Sequence, residues 1–307
     1  MSYAFVFPGQ GSQSVGMLAE LAESNPIVKD VFAEASAVLG YDLWDVVQND
    51  ADGKLNQTDV TQPAMLAAGI AVYRTLMSKA DTAPAYLAGH SLGEYTALVA
   101  SGVMTLAQGV ELVAERGRLM QAAVPAGQGG MAAVLGMEDD AVVAVCNKVD
   151  GIVEAVNFNS PGQVVIAGNK EAVDVAMEAA TEAGASRVVP LAVSVPSHCS
   201  LMKPAADALE SKLATMTFSE AQIPVLHNVN VAVSNSEDEI KQALVKQLYQ
   251  PVQWVKTVEA MKADGVDQLL ELGPGKVLMG LNRRIDRKMG MVAVFDDATL
   301  EKALASL

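Results

Sequence analysis

The stretch AYLAGHSLGEYTALVAS, from Ala85 to Ser101, decides the reading of this chain. Ala85 to Ala88 is a short apolar run that ends at Gly89, as a buried strand does. Gly93 to Ser101 continues with helix-forming residues. Between them, Gly89-His90-Ser91-Leu92-Gly93 fits G-x-S-x-G, and a strand–turn–helix setting is the context that motif requires. The turn is strained, so its flanking positions must be small and permissive. It would lift the Ser91 hydroxyl off the sheet and place the Leu92 N–H at a helix N-terminus, where free amides and the dipole can stabilise an oxyanion. A Gly-rich turn holding an ordinary serine is the plainer alternative.

Outward from this turn the same alternation recurs. Tyr3 to Phe7 reads as a buried strand running into Pro8-Gly9. Asn25-Pro26 opens a helix, with Asn as cap and Pro in the first position. Val28, Val31, Phe32, Ala35, Val38 and Leu39 keep its period, and Gly40 stops it. Thr61 to Met77 and Leu106 to Val124 are further helices. Strand and helix in alternation describe a parallel sheet covered by helices.

The middle of the chain differs. Met131 to Leu135, Ile152 to Phe158, Val164 to Ala167 and Arg187 to Val193 are strand-like, and Glu138 to Val149 and Glu171 to Ala183 are helical. That order, β-α-β-β-α-β, is ferredoxin-like. The α/β pattern then resumes, with strands at Val225 to Val229, Gln268 to Leu272 and Met291 to Phe295, and helices at Glu237 to Tyr249 and Val252 to Ala263. The expected architecture is an α/β-hydrolase-like core of residues 1–126 and 195–307, carrying an inserted ferredoxin-like subdomain of residues 127–194.

Composition narrows the function classes. The 307 residues carry a formal charge of −15, which opposes nucleic-acid binding. Hydrophobic residues make up 51% and aromatics 5%, the mix of an aliphatic core rather than a disordered chain. Cys146 and Cys199 are the only cysteines, so neither a disulfide framework nor a Cys-based zinc site is available. No run of about 18 apolar residues suggests a membrane span, and the N-terminus lacks a basic n-region and an apolar h-region. A soluble cytoplasmic protein is the expectation, with a monomer as its expected state.

A serine nucleophile needs a base, and the sequence holds three histidines. His90 adjoins Ser91, so the turn aims its ring elsewhere. His227 lies in the apolar run PVLHNV and reads as a hydrogen-bonded core residue. His198, in a loop-like stretch after a strand, is left as the favoured base. No acidic residue completes an obvious Ser-His-Asp set. One substitute is the Gln247 carbonyl, whose helical donor four residues on would be Pro251, a residue without an N–H. Water is the alternative occupant of that carbonyl, and sequence alone does not bring it near His198.

Seven blocks occur in order: VFPGQGSQ (Val6 to Gln13), GHSLGE (Gly89 to Glu94), ERGRLMQ (Glu115 to Gln121), VNFNSPGQ (Val156 to Gln163), VPSH (Val195 to His198), QLYQPVQW (Gln247 to Trp254) and ELGPGKVL (Glu271 to Leu278). On these blocks the chain resembles, over essentially its whole length, the bacterial malonyl-CoA:acyl carrier protein transacylases of type II fatty acid synthesis. The resemblance implies Ser91 as nucleophile and His198 as base, oriented by the Gln247 carbonyl. It implies the Gln10 and Leu92 amides as oxyanion donors, and Arg116 as partner of the malonyl carboxylate. Arg is the residue such a carboxylate calls for, because its planar fork is bidentate and permanently charged. Arg118 is the alternative, and only the family block singles out Arg116.

The partners so implied are malonyl-CoA and acyl carrier protein, with no cofactor beyond the substrate. Acyl carrier protein is implied to be acidic, so docking on an enzyme at −15 requires clustered basic groups. Arg283, Arg284, Arg287 and Lys288 form the densest cluster, and Arg187 is a second candidate; a basic helix face balancing local acid is the alternative. A serine hydrolase using the same elbow, and a non-catalytic carrier-protein binding module, are the competing readings.

Overall fold

Five buried residues, β1 (Tyr3–Phe7), open the chain in the computed structural model, which describes residues 2–80, 82–193 and 195–307. Alternate side chains of β1 enter two separate apolar clusters: Tyr3, Phe5 and Phe7 one, Ala4 and Val6 the other. Both faces of the sheet are therefore covered, as the uninterrupted apolar run requires.

Helices α1 (Ala19–Ser24), α2 (Ile27–Leu39), α3 (Leu43–Asn49) and α4 (Thr58–Met77) follow. Helix α2 buries Val28, Val31, Phe32 and Ala35, and ends where Gly40 adopts φ 76°. Asn25 does not cap it as expected. Its amide instead donates to the Leu21 carbonyl and to Asp297, tying the end of α1 to the C-terminal region. Next come β2 (Tyr86–Gly89), α5 (Leu92–Ala100) and α6 (Leu106–Ala123), the last begun by a reciprocal Thr105–Gln108 capping box.

The middle region supplies β3 (Gly129–Leu135), α7 (Asp139–Cys146), β4 (Val153–Ser160), β5 (Gln163–Asn169), α8 (Lys170–Glu182) and β6 (Arg187–Pro190). Its four strands form an antiparallel sheet in the order β4-β5-β3-β6, the ferredoxin-like connectivity. The strand expected to reach Val193 stops at Pro190, the last residue in register with β3, and one further bond runs from the Leu191 N–H to the Met131 carbonyl at 2.9 Å. The expected subdomain end at residue 194 lies outside the described residues.

The remaining elements are α9 (Lys203–Leu213), β7 (Val225–Leu226), α10 (Glu237–Gln247), α11 (Trp254–Ala263), β8 (Gln268–Leu272), α12 (Val277–Ile285), β9 (Gly290–Val294) and α13 (Asp297–Leu304). With β1 and β2 they build an all-parallel five-stranded sheet, β7-β2-β1-β8-β9. Two expected spans are shorter for identifiable reasons. The Val225–Val229 strand stops at Leu226 because His227 and Asn228 leave the sheet to bond Glu94. The Val252–Ala263 helix starts at Trp254 because Val252 pairs with β4, through Val252 N–H to Val156 O and Phe158 N–H to Val252 O. That pairing ties the antiparallel sheet to the segment between α10 and α11, beside the cleft that holds the candidate site.

Candidate active site

The turn at the end of β2 is the strained elbow its glycines suggested. Ser91 sits at φ 53°, ψ −110°. A Cβ on Gly89 would lie 1.9 Å from the Gly93 carbonyl, and one on Gly93 would lie 2.1 Å from the Phe7 carbonyl oxygen. Only glycine fits either place. Asn228, which sequence reasoning overlooked, braces the elbow from both sides. Its Nδ2 donates to Gly89 O at 2.6 Å, and its Oδ1 accepts from the Ser91 N–H at 2.8 Å.

Ser91 Oγ lies 2.7 Å from His198 Nε2. The other ring nitrogen, Nδ1, is 2.6 Å from the Gln247 carbonyl. A carbonyl only accepts, so Nδ1 carries the proton and Nε2 offers a lone pair to the serine. Helix α10 ends at Gln247, which leaves this carbonyl available just ahead of Pro251. His198 is buried; that burial, followed by the charge of Arg116, pushes its pKa down to about 3 and keeps the ring neutral. His90 turns away, its Nε2 lying 2.7 Å from Asn159 Oδ1. His227 is a core residue, its Nδ1 lying 2.6 Å from Glu94 Oε1.

Arg116 and Arg118 separate cleanly. Arg118 is on the surface, paired with Glu115 through contacts of 2.5 and 2.7 Å. Arg116 is 1% exposed yet pairs with no carboxylate among the described residues. Its Nη1 donates to Gln62 Oε1 at 2.8 Å and its Nη2 to Gln247 Oε1 at 3.0 Å. Its Nε has no partner, and its guanidinium lies 5.1 Å from the Tyr95 ring centre. Gln62 and Tyr95 were not singled out from the sequence, because an amide or phenol on a buried helix face carries no motif.

Gln10, Ser91, Leu92, Arg116 and His198 line one small cleft of about 110 Å³, closed on the other side by Met131, Asn157 and Leu191 of the antiparallel-sheet region. Neither the Gln10 nor the Leu92 main-chain N–H has a hydrogen-bond acceptor among the described residues, whereas the Gln10 side chain donates to Thr58 Oγ1 at 3.3 Å. Gln10, Leu191 and Val193 also line a wider adjoining groove of about 550 Å³, which includes Lys170.

The surface arginines converge as well. Arg187 on β6 and Gln163 on β5 both pair with Leu135 of β3, so they share one cross-strand row. Arg284 of α12 donates to Gln163 at 2.9 Å. One patch thus holds Arg187 and Arg284, with Arg283 beside the latter; Arg287 and Lys288 follow just after the helix. All five are exposed, and none pairs with a carboxylate among the described residues. No group of three or more metal-ligating side chains occurs there either, and no helix is long and apolar enough to cross a membrane.

A serine hydroxyl on an elbow, a neutral imidazole against it and a buried cation in the same cleft suit acyl transfer. The model for the acyl transferase domain family matches residues 4–292. The malonyl CoA-acyl carrier protein transacylase of Escherichia coli K12 is 54% identical over 98% of each chain. A malonyl-transacylase solved in complex with a type II PKS acyl-carrier protein superposes with TM-score 0.99 and 53% identity over the whole of both chains. An acyl carrier protein S-malonyltransferase from Vibrio cholerae gives TM-score 0.96 and 55% identity, covering 99% of this chain and 100% of that one. The chain belongs to the acyl transferase family and, within it, to the malonyl CoA-acyl carrier protein transacylases.

Proposed function

We propose that this protein moves a malonyl group from coenzyme A to the phosphopantetheine thiol of acyl carrier protein, through a malonyl ester on Ser91, and so supplies fatty acid synthesis. The observation that carries this reading is Arg116, a buried guanidinium with no carboxylate partner, in the cleft that holds Ser91. An uncompensated buried charge costs several kcal/mol. A carboxylate at the end of the acyl group offsets that cost, and a neutral acyl group does not.

In the first half-reaction His198 Nε2 takes the Ser91 proton as Oγ attacks the thioester carbonyl. The Gln10 and Leu92 amides receive the oxyanion. The C–S bond breaks, the departing sulfur takes the proton from His198, and CoA thiol leaves. The second half-reaction runs these steps in reverse, with the carrier thiol as nucleophile. The Gln247 carbonyl holds the imidazole in the required tautomer throughout, and binds the imidazolium more strongly than the neutral ring. Every group in this cycle belongs to the protein or its substrates, so it requires no metal or cofactor.

The Arg187–Arg284 patch, with Arg283, Arg287 and Lys288, is the proposed docking surface for the acidic carrier protein. A cytoplasmic monomer suffices for all of this. Intact-mass spectrometry after addition of malonyl-CoA tests the reading. A malonyl adduct on Ser91, discharged rapidly by holo-acyl carrier protein and slowly by water, is the expected result. Rapid release of free malonate without an acceptor would make the protein a hydrolase. No adduct and no turnover would make it a binding module.

A further inference from the structure

Glu94 lies in the first turn of α5, three residues after the nucleophile, and is completely buried. No step of the transfer cycle touches it. A carboxylate taken wholly out of water costs several kcal/mol unless donors surround it. Here its Oε1 lies 2.6 Å from His227 Nδ1, and its Oε2 accepts from the Asn228 N–H at 3.0 Å and from Gln247 Nε2 at 2.8 Å. The last two groups can only donate, so Oε2 is an acceptor twice over.

The consequence falls on Gln247. Its side-chain amide is a dipole with a donor end and an acceptor end. Glu94 holds the donor end, which turns Oε1 toward Arg116 Nη2 at 3.0 Å. The reversed amide would set NH₂ against a guanidinium, which has no acceptor, and oxygen against a carboxylate. The same Nε2 also reaches the Ser91 carbonyl at 2.9 Å, while the Gln247 main-chain carbonyl holds the His198 imidazole. Through Asn228, Glu94 reaches the elbow too, since that residue bonds both Gly89 O and the Ser91 N–H.

We infer that Glu94 is the positioning carboxylate of this site, fixing the Gln247 side-chain amide and with it the Arg116 seat for carboxylate-bearing acyl groups. The inference rests on the malonyl-transfer reading.

The test is the ratio of Ser91 loading rates from malonyl-CoA and acetyl-CoA, followed by intact mass in rapid-quench experiments. Glu94→Gln keeps the shape and an oxygen for the two donors, and removes the charge. Hydrogen bonds to ions are roughly twice as strong as neutral ones, so the malonyl preference is expected to fall about tenfold. Equal slowing of both acyl groups would mark a structural role and overturn the proposal, as would an unchanged ratio. If Glu94→Gln does not fold, Gln247→Met decides. It keeps length and the main-chain carbonyl but lacks the amide, and the ratio must fall again. A wild type that forms no malonyl adduct refutes the transfer reading itself. A wild type that loads normally, beside variants that keep its ratio, refutes only the role of Glu94.

Discussion

Ser91 and His198 meet at 2.7 Å with both backbones in the left-handed region, at φ 53° and 67°. Each such residue costs about 1–3 kcal/mol and persists only where its surroundings over-determine it. Asn228 clamps Ser91 on both flanks of the elbow. Two successive carbonyls at the end of α10 clamp His198: Leu248 O takes its main-chain N–H at 2.9 Å, and Gln247 O takes its ring at 2.6 Å. The Ser91–His198 pair is therefore held by two segments, one after β7 and one at the end of α10, that lie far from it in sequence.

Replacing Asn228 by Ala should release that clamp. The Ser91 N–H and the Gly89 carbonyl would lose their partner in a buried setting, at about 1–3 kcal/mol each. The expected result is a stability loss of roughly 2–6 kcal/mol in urea unfolding, together with slower malonyl loading of Ser91. Full stability with slow loading would mean that the strain is held elsewhere.

Arg116→Ala should weaken malonyl transfer far more than acetyl transfer. A bidentate, charge-assisted pair is worth about 3 kcal/mol or more, which corresponds to roughly a hundredfold in kcat/KM. Steady-state kinetics with both acyl-CoA substrates check this, and equal losses would remove Arg116 from carboxylate recognition.

Reversing Arg283 and Arg284 to Glu should raise the KM for acyl carrier protein about tenfold at low salt and leave loading from malonyl-CoA unchanged. Added salt should narrow the gap between wild type and variant, because exposed charges are screened within about 10 Å at 0.1 M. Loading and transfer falling together would place the docking surface elsewhere.

Stability should fall on acidification in a way that His198 governs. Its folded pKa of about 3 lies below the ordinary imidazole value of 6.5, chiefly through burial and then through Arg116. The unfolded chain thus binds the extra proton between these two values. Stability held above pH 6.5 is lost progressively as pH falls toward 3, with a slope of up to roughly 1.4 kcal/mol per pH unit. Thermal melts of wild type and His198→Gln from pH 8 to 4 should converge at the acid end as the wild type loses its excess. Parallel curves would show that His198 is not the group responsible.

Much of this arrangement was legible in the chain itself. The buried strand β1 and the strand–elbow–helix at Gly89 to Ser101 follow from apolar period and glycine spacing, which are local properties. The ferredoxin-like insertion follows from the order of periodic segments. Short or polar helices such as α3, α9 and α13 were not legible, because seven to eleven residues held by tertiary packing leave too weak a period. Asn25 shows the same limit: a good cap by local rules is taken instead by Asp297, a residue 272 positions away.

The sequence by itself determined the elbow with its serine and a Gln247 carbonyl left without its helical donor at Pro251, and it left His198 as the favoured histidine, since each reading depends on neighbours within a few bonds. Only the tertiary structure decided which arginine is buried without a counter-ion, that Asn228 and Glu94 brace the site, and that Arg187 and Arg284 share one surface patch. Those facts depend on which chain segments exclude water together and which donors then find acceptors. Such pairings span separations of 54 residues between Gln62 and Arg116 and 153 between Glu94 and Gln247, and no local pattern encodes them.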